Sequence, residues 1–247
     1  MLAAILLTGA AAAQVVTVMS PSIGAPEPGF TGKVAAGMSL ARGNKTQNLW
    51  SGAADTLWVN KGGDHQLLFT AAGDYGEAFG QVNTQDVFAH LRYRWAFLDS
   101  APLVAFTFIQ TQHNAFQSLL LRNLGGAGLE YRLWRADWTE AWLGTAVMGE
   151  HERLSTDNQD RYFVRSSSFA LIAVEVDEAL VLGSSTYFQP LLTDFNDWRF
   201  VEELTLNGKF GEHFGWLGAL TLTHDRVPPT GVEPTDLSVS SGLTWGW

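Results

Sequence analysis

The sequence predicts an all-β chain that closes into a transmembrane antiparallel up-and-down β-barrel of about 12 strands. Three observations predict it. Apolar and polar residues alternate with a period of two from Gly29 onward, the pattern of strands whose two faces meet different surroundings. Short turns alternate along the chain with longer polar segments, as in outer-membrane barrels with short periplasmic turns and longer external loops. Finally, the chain closes on an alternating strand that ends in an aromatic residue.

Composition narrows what those faces meet. Charged residues make up 16% of the 247, and the chain carries ten tryptophans and 25 glycines. Soluble domains average roughly 25% charged residues, so part of this surface does not face water. No internal apolar run approaches the ~18 residues of a spanning helix, and mean hydropathy is only +0.02. Helical membrane proteins are excluded, and a soluble β-protein or a membrane barrel remains. There is no cysteine, which removes disulfides and thiolate metal sites. The net charge is −10, and the few lysines (Lys33, Lys45, Lys61, Lys209) form no basic run. No nucleic-acid partner is expected.

Residues 1–13, MLAAILLTGAAAA, read as a signal peptide, with cleavage expected before Gln14. No Lys or Arg precedes their apolar run, so the true start codon is expected a few residues upstream. Residues 14–28 read as a linker and 29–247 as the barrel.

The strands follow in order. The first two are expected at about 29–41 and 46–59, separated by a brief loop at Arg42 to Lys45. The turn NKGGD (60–64) leads to 65–75, and the polar segment GEAFGQVN (76–83) to 85–97. LDSA (98–101) precedes 102–112, and HNAFQS (113–118) precedes 119–133. WRAD (134–137) then introduces 138–150, and HERLSTDNQDR (151–161) introduces 162–175. VDE (176–178) leads to 179–189, PLLTDFNDW (190–198) to 198–208, and KFGEH (209–213) to 214–226. VPPTGVEP (227–234) precedes the last strand, 236–247. An even count returns both ends to one side, the periplasmic side of an outer-membrane barrel.

The stretch DVFAHLRYRWAF (86–97) shows the two faces most plainly. Val87, Ala89, Leu91, Tyr93, Trp95 and Phe97 form one; Asp86, His90, Arg92 and Arg94 lie on the other. In a soluble barrel the apolar set would be core. In a membrane barrel it faces lipid, and the arginines face the lumen. Tryptophan placement favours the second case. Trp50 and Trp58 share one strand face, and other aromatics gather near strand ends, as two interfacial girdles require. The expected girdle residues are Trp50, Trp58, Tyr93, Trp95, Trp198, Trp245 and Trp247. In the last strand Leu237, Val239, Ser241, Leu243, Trp245 and Trp247 form one face, and Leu243, Trp245 and Trp247 supply the C-terminal signal that barrel-insertion machinery reads.

Four segments resemble the YdiY-like family of salt-induced outer-membrane proteins, domain of unknown function 481. They are GFTGKVAAGMSLARGN (29–44), NAFQSLLLRNLGGAGLEYRL (114–133), LLTDFNDWRFVEELTL (191–206) and PPTGVEPTDLSVSSGLTWGW (228–247). The first departs from the family pattern near Ala41 and Lys45, where threonines are expected. The resemblance implies an integral barrel in the bacterial outer membrane, in contact with lipid and lipopolysaccharide. It implies a link to salt or osmotic response but no assigned activity.

The alternation turns Asp55, Asp74, Asp86, His90, Arg92, Arg94, Arg122, Glu130, Arg132, Glu140, Arg165, Arg199 and Glu203 inward. Two readings stand side by side: a structural ladder whose charges pair and fix the register, or a narrow conduit whose charge rings select ions or small solutes. Eight strands leave a lumen filled by side chains and sixteen an aqueous channel, so at twelve, side-chain size decides. An outer-membrane hydrolase with its site at the barrel mouth would need a nucleophile, base and orienter in hydrogen-bond reach. His224–Asp225 and His113 near Ser118 are the nearest candidates; adjacent residues on a strand face opposite ways, and no serine-hydrolase pattern surrounds them. The chain is read as a non-enzyme. Glu152, Asp157, Asp160, Asp194, Asp197 and Glu233 are expected on outer loops as solvated carboxylates, without calcium-loop spacing. Gly126 and Gly128 read as small residues easing barrel curvature. No cofactor or metal is expected. The remaining alternative is a soluble periplasmic β-barrel or sandwich that binds a ligand.

Overall fold

In the computed structural model, residues 26–41, 47–97, 102–115, 118–156 and 159–247 are described. The expected signal peptide, the linker up to residue 25, the loop after Ala41, LDSA (98–101) and Asp157 lie outside the described residues.

Twelve strands form one closed barrel. They are β1 (Gly29–Ala41), β2 (Gln47–Val59), β3 (His65–Ala78), β4 (Gln81–Trp95), β5 (Leu103–Asn114), β6 (Leu119–Ala136), β7 (Thr139–Leu154), β8 (Asp160–Asp177), β9 (Leu180–Leu191), β10 (Asp194–Lys209), β11 (Phe214–Asp225) and β12 (Thr235–Gly246). Each pairs antiparallel with its sequence neighbours, and β12 pairs back onto β1. Closure joins β12 to β1 and so pairs part of the edge that an open alternating sheet of this length would expose along its whole side. The period-two pattern fixes the register, because a one-residue slip would turn every charged side chain outward.

The outward face is largely apolar, with Glu202 held on it by Ser184 and Thr186. Ile109 is 63% exposed, Leu243 64% and Val147 56%. On the inward face of β4 to β10 the side chains are buried: Phe88 and His90, Phe106 and Gln110, Ala146 and Met148, Phe169 and Leu171, Tyr187 and Val201. The protein is therefore inverted relative to a soluble barrel, whose exposed surface is its polar one.

The polar segments expected as long loops are in large part strand. β3 and β4 run on to Ala78 and from Gln81, so GEAFGQVN folds as a hairpin. It turns at Phe79 and Gly80, at φ 51° and 76°, the left-handed pair of a tight hairpin turn. β7 continues to Leu154 and β8 begins at Asp160. β10 begins at Asp194 and meets β9 through a register shift between Asp194 and Trp198. Among the described residues VPPTGVEP is the one substantial connection, where consecutive prolines cannot donate to a ladder. The alternation of short and long segments thus reflects how far strands rise at one end of the barrel, not loop length. β6 and β8 reach 18 residues, well beyond the 9–11 that cross a bilayer. The end carrying Gly29 and Trp247 is hereafter the termini end and the opposite one the far end; β6 overhangs β5 at the termini end by residues 132–136, and β8 overhangs β9 at the far end by residues 160–164.

The seam between β1 and β12 is the weak line of the barrel. Its ladder runs from Lys33 opposite Gly246 to Ala36 opposite Leu243 and goes no further. β1 and β2, by contrast, pair from Gly29 to Ala41. A clasp holds the termini end of the seam. Gly32 N–H donates to Trp247 O at 3.1 Å, and Trp247 N–H returns to Gly32 O at 3.0 Å. The Trp247 indole occupies the space a side chain at position 32 would need, 2.3 Å from where its Cβ would stand. Gly32 is what lets the terminal aromatic lie flat across the joint.

Candidate functional site

The lumen is divided lengthwise. Along β4 to β10 it is packed solid in three levels. At the far end, Arg122, Arg165 and Arg199 share four carboxylates. Glu150 accepts from Arg122 at 3.0 Å, Arg165 at 3.0 Å and Arg199 at 2.7 Å. Glu152 accepts from Arg122 and Arg199, Asp225 from Arg199 at 3.0 Å, and Asp197 from Arg165 at 2.9 Å. This network ties β6, β7, β8, β10 and β11 together across the interior.

Below it lies an apolar layer of Phe106, Ala146, Phe169, Leu171, Tyr187 and Val201, with Phe108 and Trp142 packed against it. Small residues make room for the rings: a Cβ on Gly144 would stand 2.1 Å from the Phe169 ring, and one on Gly126 2.8 Å from Phe108. Gly128 also admits the β7 backbone, since its Cβ would lie 2.1 Å from Thr145 O. Gly126 and Gly128, expected to ease curvature, make space for an aromatic ring and for the neighbouring strand. His90 lies between Phe88 and Phe108 and meets Gln110 Oε1 at 3.0 Å. Beside it a cavity of about 30 Å³, lined by His90, Arg92, Gln110, Ser167 and Gln189 among others, has the size and polarity to hold a water.

The third level is the triad Arg92, Arg94 and Glu130. Arg92 donates to Glu130 at 2.7 Å, Arg94 pairs with the other carboxylate oxygen, and Arg94 also reaches Gln66 at 2.7 Å. The Arg92 guanidinium lies 3.9 Å from the Phe106 ring centroid, a cation–π contact in a desolvated setting. Arg132 and Arg94 flank the Trp142 ring, whose N–H donates to Glu140 at 3.0 Å.

The remaining wall, formed by β11, β12, β1, β2 and β3, is built differently. At mid-height its inward residues are small, Ala35 facing Ala53, which faces Ala72, and Ala219 facing Ser240, while larger inward side chains such as Leu49 and Val59 are buried nearer its two ends. Ala53 and Ser240 are exposed although they point inward, so water-sized space reaches them from the lumen. Here lie Asp55, paired with Lys33 at 3.5 Å and accepting from Thr70 at 2.8 Å, and Asp236 opposite Thr223, with Glu203 beside them on the bordering strand β10, opposite Thr221. Asp74 faces Asp86 directly across β3 and β4.

Several functional residues were misplaced or missed by sequence reasoning. Glu152 and Asp197, expected on outer loops, belong to the buried network, because β7 and β10 extend past the positions where their apolar alternation fades. Glu150 was not among the expected lumen residues and is the centre of that network; the rhythm Ala146, Met148, Glu150, Glu152 carried the signal. Asp160 binds Arg153 and His151 on the exposed far end. The Arg153 hydrogen bonds, then that of His151, hold its carboxyl at about 2. His224 and Asp225 point to opposite faces: His224 meets Thr235 Oγ1 at 2.8 Å and packs on Trp198 outside, while Asp225 pairs with Arg199 inside. His113 meets Leu120 O at 2.9 Å.

Outside, aromatic residues collect at two levels. Trp50 pairs with Tyr75 toward the far end, where Trp198 packs on Phe188. Trp58, Tyr93, Trp95, Trp245 and Trp247 lie at the termini end, with His65 stacked on Tyr93 and Trp95 and Trp245 against Trp247 at 5.4 Å. The eight residues from Trp50 to Trp58 cover about 26 Å along a strand, or roughly 20 Å once tilted, close to the ~25 Å apolar band of outer-membrane barrels.

A closed, up-and-down antiparallel barrel with an apolar exterior, two aromatic levels and a charged interior defines the class as a porin-like β-barrel. Within it, the chain belongs to the family described as "Protein of unknown function, DUF481", whose model matches residues 34–247. Among solved structures the fold is similar to the NanC porin, at 8% identity and TM-score 0.50, covering 87% of this chain and 98% of that one. The translocator domain of autotransporter NalP from Neisseria meningitidis aligns at 11% identity and TM-score 0.45, covering 88% and 86%. A porin refined at 1.8 Å aligns at 8% identity and TM-score 0.40, covering 88% and 99%. No curated protein matches the sequence.

Proposed function

We propose that this chain is an integral outer-membrane barrel of the bacterial envelope that acts as a narrow passive pore for ions or small solutes. One observation carries the reading: the packed half of the lumen stops at β4 and β10, and the wall between them is lined by small residues such as Ala53 and Ser240 that remain exposed on the inward face. A barrel filled on every side would bury them. The apolar exterior and the aromatic levels support a position in the bilayer. Lipid then covers the girdles, lipopolysaccharide surrounds the far end, and the insertion machinery engages Leu243, Trp245 and Trp247 during assembly. A link to salt or osmotic response, implied by the family resemblance, fits a pore whose load changes with external ions.

Cell fractionation with a heat-dependent gel shift, followed by conductance of the refolded protein in a planar bilayer, tests the proposal. Recovery with the outer membrane and reproducible small current steps are expected. A protein that stays soluble with no gel shift would refute the membrane assignment, and a silent bilayer with verified folding would refute the pore.

A further inference from the structure

We infer that the conduit favours cations over anions, selected by the carboxylates of the thin wall rather than by the arginines. This rests on the pore reading above. The arginines are the obvious candidates for a selectivity element, and their geometry removes them. Arg92, Arg122, Arg165 and Arg199 are buried within the packed half, and each holds at least one carboxylate within 3.0 Å. A guanidinium buried and paired in this way presents little field to a passing ion. Arg94 shares Glu130 with Arg92, and Arg132 lies over Trp142 near the termini end.

The thin wall and the faces of β4 and β10 that border it have the opposite balance. Asp55, Asp74, Asp86, Glu203 and Asp236 all face the region lined by Ala35, Ala53, Ala72 and Ser240. Lys33 is turned toward it and pairs with Asp55, and Arg94 reaches its edge at Gln66 while held by Glu130. The ion pairs of the packed half are made by Glu130, Glu150, Glu152, Asp197 and Asp225, and Asp74, Asp86, Glu203 and Asp236 stand outside that network. Asp74 and Asp86 stand directly opposite on adjacent strands, where like charges repel across about 5 Å. Such a pair gains when a mobile cation passes between water and the wall, and it repels an anion. Low-dielectric walls on both sides focus that field along the path. The small side chains supply the space, and the carboxylates supply the sign.

The test is the reversal potential of the refolded full chain in a planar bilayer under a tenfold potassium chloride gradient. The parent protein is expected to favour potassium over chloride several-fold. Asp74→Asn together with Asp86→Asn should bring the ratio down toward one while current steps persist. Ser240→Lys, which adds a positive charge on the same wall without touching the carboxylates, should lower it too. Steps with a chloride preference, or a ratio unmoved by both variants, would overturn the inference and leave the pore standing. Absence of steps in the folded parent would overturn the pore itself.

Discussion

Replacing Glu150 with glutamine removes the charge at the centre of the far-end network and keeps its shape. The side chain is fully buried, and its oxygens accept from three guanidinium groups on β6, β8 and β10 at 2.7–3.0 Å. With an effective dielectric near 20, each guanidinium–carboxylate attraction is about 4 kcal/mol at 4 Å. Part of that loss is offset, because a neutral amide carries a far smaller desolvation penalty than a carboxylate. Arg122, Arg165 and Arg199 also keep Glu152, Asp197 and Asp225. The expected net loss is about 3–5 kcal/mol, the range for breaking a buried pair from one side. Urea unfolding of the barrel in lipid vesicles, followed by tryptophan fluorescence and the heat-dependent gel shift, measures it. Glu203→Gln on β10, beside the thin wall, is the control and should change stability by less than about 1 kcal/mol, since it stands outside the buried network. If the two variants unfold at the same urea concentration as the parent, the network is not what holds β6 to β11 together.

Three further outcomes follow from the same geometry. Ile109→Lys, at an outward position that is already 63% exposed, should cost about 2–4 kcal/mol of insertion free energy near the bilayer midplane. Vesicle-partitioning titrations read this directly, and a soluble barrel would tolerate the change. Gly32→Val should lower the yield of heat-resistant barrel, because its side chain meets the Trp247 indole, whereas Trp247→Phe should retain most of it. Backbone amides pointing across the seam from Gly37–Ala41 and from Thr235–Gly242 should exchange hydrogen faster than those of β6 to β8, and equal protection would mean the β1–β12 ladder is complete.

The twelve strands were legible because each has an apolar face under lipid-like exposure and a polar face within, which keeps the period at two. The far-end boundaries were not. Where β3, β7 and β10 rise past the apolar band, HERL and GEA lose the apolar member of each pair, and a strand wet on both sides reads as a loop. Glu152 was displaced for that reason, whereas Glu150 fell inside the expected strand 138–150 and was passed over although it shares the parity of Ala146 and Met148. Parity places Arg92 and Arg199 on the inward face, but it does not say that Arg199 meets Glu150, 49 positions away. Least legible was the thin wall. Ala35, Ala53 and Ser240 carry no signal singly; they become a surface only when β12 closes on β1, a pairing between opposite ends of the chain.

The division of the lumen into a packed half and an open wall is tested most directly by single cysteines, since the chain has none of its own. Ala53→Cys and Ala146→Cys both point inward, the first on the open wall and the second in the packed layer. In folded protein in a planar bilayer, a charged water-soluble thiol reagent should modify Ala53→Cys quickly and reduce its current, while Ala146→Cys stays unmodified until the barrel is denatured. Equal reactivity at the two positions, or modification of Ala53→Cys that leaves the current unchanged, would contradict a conduit along the β12–β1–β2 wall.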